Sequence, residues 1–203
     1  MKKKSDSQKE FGYKLMRPFV TIKFKNKYHP VVFGKENIPE KGGIVVCGNH
    51  RHVDDQYNAL IATKRVVHML AKDEYFKGKK EWFYRMAGCI PVDRSIHDEN
   101  AKSEAVSVLE NGEVIGIFPE GTVNRTDKII LPFKYGAVSF AKKTNSYIVP
   151  FTITGKYKLF RKSIKITYEK PYKVNGDLEI ENEKLMNIIS NMLQKEKNSE
   201  KRK

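Results

Sequence analysis

Apolar residues fall along this chain in short runs, separated by stretches in which they recur at helical spacing. The runs Val31 to Phe33, Gly43 to Cys47, Val66 to Ala71, Cys89 to Val92, Val114 to Phe118, Ile148 to Ile153 and Ser163 to Tyr168 are too short for helices and are bounded by turn residues, so they predict strands. Helices are predicted between them. Tyr57 to Lys64 is a short one. Asp73 to Ala87 opens on acids and is followed by Gly88, His97 to Glu110 stops at Asn111-Gly112, and Lys134 to Thr144 ends before Asn145. Near the end, Leu185, Ile188, Ile189, Met192 and Leu193 follow the i, i+3, i+4, i+7, i+8 pattern of an amphipathic helix, and the charged tail from Lys195 is expected to fray. Strands alternating with helices imply a single α/β domain with a largely parallel central sheet flanked by helices.

The first 28 residues differ from the rest. Residues 1–10 are polar and basic and are expected to be a disordered arm. Phe11, Leu15, Phe19 and Ile22 then fall close to one helical face, interleaved with Lys14, Arg17, Lys23, Lys25 and Lys27. Pro18 should break this helix, because it lacks a backbone donor and clashes one turn back. A broken amphipathic segment with basic flanks suits a membrane interface, and it also suits packing on its own domain. The expected division is residues 1–28 as a basic arm and amphipathic, membrane-facing segment, and residues 29–203 as the folded domain with its C-terminal amphipathic helix. No stretch approaches the roughly 18 apolar residues of a membrane span, and the polar N-terminus does not read as a secretory signal.

The 203 residues suffice for one substantial core. With 39 basic and 24 acidic residues the net charge is +15, which favours anionic partners such as nucleic acid, anionic lipid or phosphorylated substrates. The aromatic pattern of a nucleic-acid module is lacking, so nucleic acid is not expected. Cys47 and Cys89 lie in apolar runs and read as reduced core residues of a cytoplasmic protein.

Candidate chemistry concentrates at the ends of the predicted strands. Asn49-His50-Arg51-His52-Val53-Asp54-Asp55 follows the run ending at Cys47. A histidine lifted to a strand end can act as a base near neutral pH, and a carboxylate on its other nitrogen fixes the tautomer. Gly88 to Arg94, Phe118-Pro119-Glu120-Gly121-Thr122 and Ile148 to Phe151 follow in that order. His50-x-His52-x-Asp54 also suggests a metal-dependent hydrolase, although the further histidine such a site takes is Asp55 here. A non-catalytic module held on a membrane by charge is the third reading.

The four ordered segments resemble the lysophospholipid and glycerol-phosphate acyltransferases, the PlsC-like 1-acyl-glycerol-3-phosphate acyltransferase group. That family carries Asn-His-x4-Asp, Gly-x-Ile-x-Val-Asp-Arg, Phe-Pro-Glu-Gly-Thr and a Val-Pro block, matched here by Asn49-His50 with Asp55, Gly88 to Arg94, Phe118 to Thr122, and Ile148 to Pro150. The resemblance implies acyl transfer from acyl-CoA or acyl carrier protein to a lysophospholipid hydroxyl, with no resident cofactor or metal, on the cytoplasmic face of an anionic membrane. It assigns His50 as base and Asp55 as its orienter, and leaves Asp54 solvated. It makes Arg94, Glu120, Gly121, Thr122 and Lys134 candidates for binding substrate, with Asn49 supporting the histidine loop. Glu120 would either position the acceptor or brace Arg94. One position departs from the family: Val123 stands where an arginine usually follows Glu-Gly-Thr, leaving Arg125 as the nearest replacement for gripping phosphate. Tyr75, Phe76, Trp82, Phe83 and Tyr84 could line an acyl channel, or serve as core.

Overall fold

Every apolar run becomes a strand. In chain order the elements are α1 (Lys4–Tyr28), β1 (Val31–Phe33), β2 (Ile44–Gly48), α2 (Gln56–Ala62), β3 (Val67–Lys72), α3 (Glu81–Met86), β4 (Ile90–Val92), α4 (Glu99–Glu110), β5 (Val114–Ile117), α5 (Gly136–Lys143), β6 (Tyr147–Gly155), β7 (Ile164–Tyr168), β8 (Tyr172–Lys173) and α6 (Leu178–Glu200). The structure is a computed structural model; it describes residues 4–200, and side chains over 11–199.

The sheet order is β1-β7-β6-β2-β5-β3-β4, with β8 sharing the outer edge of β6 with β7. The pairs β6/β2, β2/β5, β5/β3 and β3/β4 are parallel, and β7 and β8 run antiparallel to β6. β2 is central and buried along its whole length, which explains its unbroken apolar run. Alternate residues feed opposite faces. Ile44 and Val46 meet Tyr13, Phe24 and Tyr28 of α1 and Leu60 of α2. Val45 and Cys47 meet Leu109 of α4, Ala137 and Phe140 of α5, and Leu185 and Ile189 of α6.

The structure corrects four expectations. Residues 4–10 are helical rather than a disordered arm, while residues 1–3 lie outside the described residues. The helix also runs through Pro18 without a break. A mid-helix proline costs about 3 kcal/mol, and burial of Tyr13, Phe24 and Tyr28 supplies an offset of that order. The stretch expected as one helix over Asp73 to Ala87 is a 3-10 turn, Asp73–Phe76, followed by α3 after Gly78. The charged tail does not fray at Lys195, since α6 continues to Glu200. The short strand β8 had no counterpart among the expected elements.

The two readings of the N-terminal segment fall on opposite sides of α1. Tyr13, Phe24 and Tyr28 pack on the domain, whereas Phe11, Leu15, Phe19 and Ile22 stand exposed. Among the described residues, no helix is long and apolar enough to cross a membrane.

Candidate active site

Parallel pairing places the carboxyl ends of β2, β4 and β5 at one end of the sheet, and His50, Arg94 and Glu120 follow those three strands. Past Gly48 the side chain of Asn49 continues the pairing with β6. Its Nδ2 donates to Ile153 O at 3.0 Å, and its Oδ1 accepts from Ile153 N at 2.8 Å. The buried amide therefore replaces a backbone peptide and frees the following residues to turn away.

That turn is built on Asp55. Its Oδ2 lies 3.0 Å from His50 Nδ1 and accepts from the amides of Arg51 at 2.6 Å and His52 at 2.7 Å. An ionised carboxylate only accepts, so Nδ1 carries the proton and His50 Nε2 keeps the lone pair. The imidazole stacks on Phe118, with centroids 4.1 Å apart. Asp55 is fully buried, and its other oxygen accepts from Tyr157 Oη at 2.5 Å. Tyr157 Oη in turn accepts from Asn58 Nδ2 at 2.8 Å. Burial, followed by the charge of Asp55, pushes the Tyr157 phenol far above its ordinary range, so it remains a hydrogen-bond donor. Tyr157 and Asn58 lie 99 residues apart, and neither belongs to a motif that would have singled them out.

Asp54 is not a solvated neighbour, contrary to expectation. Its Oδ2 accepts from Tyr28 Oη at 2.7 Å and from Lys27 Nζ at 3.3 Å, tying the end of α1 to the histidine turn. His52 uses Nδ1 to accept from Asp54 N and stacks its ring on Tyr157. His50, His52 and Asp54 therefore point to three different partners, and a shared metal centre does not fit their directions.

Glu120 is turned inward. Its Oε1 accepts from His50 N at 2.7 Å and its Oε2 from Leu131 N at 2.8 Å, so it braces the histidine loop rather than Arg94. Burial raises its pKa above the usual carboxylate range, and the two backbone donors pull the other way. Asn124, which carried no expectation, is buried and donates its backbone N–H to His50 O at 2.7 Å. Through Glu120 and Asn124 the loop after β5 holds His50 from both sides.

Arg94 donates to the carbonyl of Gly121 rather than pairing with Glu120. The Lys134 side chain lies over Gly121, where an added Cβ would sit 3.0 Å from Lys134 Cε. Gly121 has φ +69°, so both close approach and backbone conformation call for glycine. Two cations thus flank one turn. Thr122 and Val123 line the adjoining cleft, whereas Arg125, the expected replacement for the missing arginine, is exposed outside it.

The cleft has a volume of about 1240 Å³ and contains His50, Arg94, Gly121 and Lys134. Met16 and Val20 of α1, Tyr57 and Leu60 of α2, and Phe83 and Tyr84 of α3 give the same cleft an apolar lining. Tyr75 also lines the cleft, while Phe76 is buried and Trp82 exposed outside it. Cys47 is wholly buried, and burial drives its thiol far upward; Cys89 borders the cleft with its thiol pushed up to about 12. Neither supplies a thiolate at neutral pH.

The family model for "Acyltransferase" matches residues 29–154, more than half of the chain and the whole of this site up to Ile153. The chain belongs to the acyltransferase family. It is 32% identical over 128 residues to the 1-acyl-sn-glycerol-3-phosphate acyltransferase of Bacillus subtilis, covering 61% of this chain and 62% of that protein. It is 33% identical over 137 residues to the protein of the same name from Borreliella burgdorferi, covering 66% of this chain and 54% of the relative. The chain thus spans less than two thirds of the length of these relatives. The crystal structure of the 1-acyl-sn-glycerophosphate (LPA) acyltransferase PlsC from Thermotoga maritima superposes with a TM-score of 0.74 at 21% identity, covering 97% of this chain and 84% of that one, and shares the fold. Within the acyltransferase family match lie His50, Asp55, Arg94, Glu120 and Lys134, whereas Tyr157 falls just beyond it.

Proposed function

We propose that this protein transfers a fatty acyl group from a thioester donor, acyl-CoA or acyl carrier protein, to the free hydroxyl of 1-acyl-glycerol-3-phosphate, forming phosphatidate at the cytoplasmic face of an anionic membrane. One observation carries the reading: a histidine oriented by a buried carboxylate shares one cleft with two cations and an apolar lining. The names of its relatives support the acceptor.

In this reaction His50 Nε2 takes the proton of the acceptor hydroxyl as its oxygen attacks the thioester carbonyl. The resulting imidazolium is stabilised by Asp55. The tetrahedral intermediate collapses by breaking the carbon–sulfur bond, and the departing thiolate recovers the proton from His50. Arg94 and Lys134 hold the acceptor phosphate, since a guanidinium and an ammonium together match its charge and geometry. With Val123 in place of an arginine and Arg125 outside the cleft, the burden of holding phosphate rests on these two. The apolar lining from α1, α2 and α3 takes the acyl chain. Val53, Tyr75, Ile96 and Tyr135, apolar or aromatic and exposed at the mouth, suit a lipid that enters from a bilayer.

The test is acyl transfer in mixed micelles with palmitoyl donor and lysophosphatidate, measuring both free thiol and lipid product. Wild type should form phosphatidate, and His50→Ala should lose about 10²–10⁴ of the rate. Thiol release that depends on His50 but yields no lipid would make the protein a thioester hydrolase or direct it to another acceptor. Equal rates in wild type and His50→Ala would end the proposal.

A further inference from the structure

The loop between β6 and β7 exposes two large apolar residues that the active site does not use. Leu159 is 57% exposed and Phe160 73%. Lys156, Lys158, Arg161 and Lys162 surround them and are exposed as well. The loop is firmly closed at its base. Gly155, at φ +85°, leaves room for Ser163 O, which an added Cβ would approach to 1.9 Å. Ser163 Oγ donates to Lys156 O at 2.6 Å, and Lys156 N donates to Ser163 O at 3.0 Å. Phe160 itself has φ +56°, a left-handed conformation uncommon for a bulky side chain. A built loop therefore holds its two greasiest residues out into solvent.

The position of this tip is informative. β6 runs parallel to β2, so the loop leaves the sheet at the same end as His50. Phe160 N donates to Lys27 O at 2.7 Å, joining the tip to the last turn of α1. Phe11, Leu15, Phe19 and Ile22 of α1 are also exposed, and at about 100° per residue they fall within one narrow sector of the helix. Lys14 and Lys25 flank that sector on one side and Lys23 on the other. Apolar residues bordered by lysines complement an interface in which acyl chains meet anionic headgroups.

We infer that the β6–β7 tip, Leu159 and Phe160 with its four basic neighbours, is a second membrane anchor that inserts into anionic lipid alongside α1. Two contacts spaced apart define an orientation, which a single helix lying on a bilayer does not. Together they would set the carboxyl end of the sheet, and with it the cleft, against the membrane. The same loop contains Tyr157, whose hydroxyl holds Asp55, so the anchor is continuous with the catalytic turn. This inference rests on the membrane location proposed above but is independent of the reaction.

The experiment is flotation of the full chain with vesicles of phosphatidylcholine and phosphatidylglycerol, without substrate. Wild type is compared with Leu159→Ser/Phe160→Ser and with Phe11→Ser/Phe19→Ser, each checked for an unchanged melting temperature. The loop variant should bind about 10-fold or more weakly, the scale set by removing two buried apolar side chains from lipid. Phe160→Trp in a Trp82→Phe background should be quenched by brominated lipid. Binding equal to wild type in the loop variant, or an indole that brominated lipid does not quench, overturns the second anchor and leaves the membrane reading standing if the α1 variant is impaired. A wild type that does not bind these vesicles overturns both.

Discussion

Tyr157 places its hydroxyl 2.5 Å from Asp55 Oδ1, the oxygen that His50 does not use. The carboxylate is therefore gripped at both ends, by the histidine turn and by a residue after β6. Tyr157→Phe removes that grip and leaves the ring that stacks on His52. A hydrogen bond to a charged group contributes about 1.5–3 kcal/mol. The substitution should lower kcat by about 10-fold with KM for the acceptor little changed, because the base is mispositioned while the phosphate site is untouched. Steady-state kinetics on both substrates checks this; a change confined to KM would mean that Tyr157 contacts substrate.

Asn49 should prove to be a stability residue as much as a site residue. Asn49→Ala strands the amide and carbonyl of Ile153 in a fully buried position. Each unsatisfied backbone group costs about 1–3 kcal/mol, so with two of them unfolding free energy should fall by about 2–6 kcal/mol. Urea denaturation gives the value, and no loss of stability would show that water replaces the amide.

Glu120 predicts a pH effect with a definite sign. Burial raises its pKa in the folded protein, so the neutral carboxyl is the better accommodated form. Its contribution to stability is complete below the ordinary carboxylate pKa and is lost as pH rises through the raised value. The stability difference between wild type and Glu120→Gln should therefore shrink from about pH 4 to about pH 7. Urea midpoints at the two pH values measure it. A difference that grows instead would mean that the amides of His50 and Leu131 outweigh burial and hold the carboxylate ionised.

Arg94 and Lys134 should act on binding. Arg94→Ala should raise KM for a phosphorylated acceptor by about 10–100-fold, the equivalent of one charge-assisted hydrogen bond, with a smaller effect on kcat. Arg94→Lys should recover part of the loss. Kinetics with lysophosphatidate and with the corresponding monoacylglycerol distinguish phosphate binding from general disruption, because the monoacylglycerol rate should be insensitive to Arg94.

The apolar runs by themselves determined the strands, because a strand buried on both faces is limited to residues such as those of Ile44 to Cys47. Alternation with helices likewise implied a parallel sheet. The motif order placed His50, Asp55, Arg94 and Glu120 after those strands, since short-range spacing survives in sequence. Tertiary structure alone decided what each side chain faces. Glu120 turned inward to His50 N and Leu131 N, Arg125 fell outside the cleft, and Asp54 met Tyr28 and Lys27. Tyr157, Asn58 and Asn124 were illegible because their partners are brought near only by folding. The same holds for α1, where packing against the domain outweighed the local cost of Pro18 and turned the apolar stripe of Phe11, Leu15, Phe19 and Ile22 outward. Local pattern reports the conformation a segment favours; the direction of a long-range hydrogen bond depends on which segments meet, and that is settled by the burial of the whole chain.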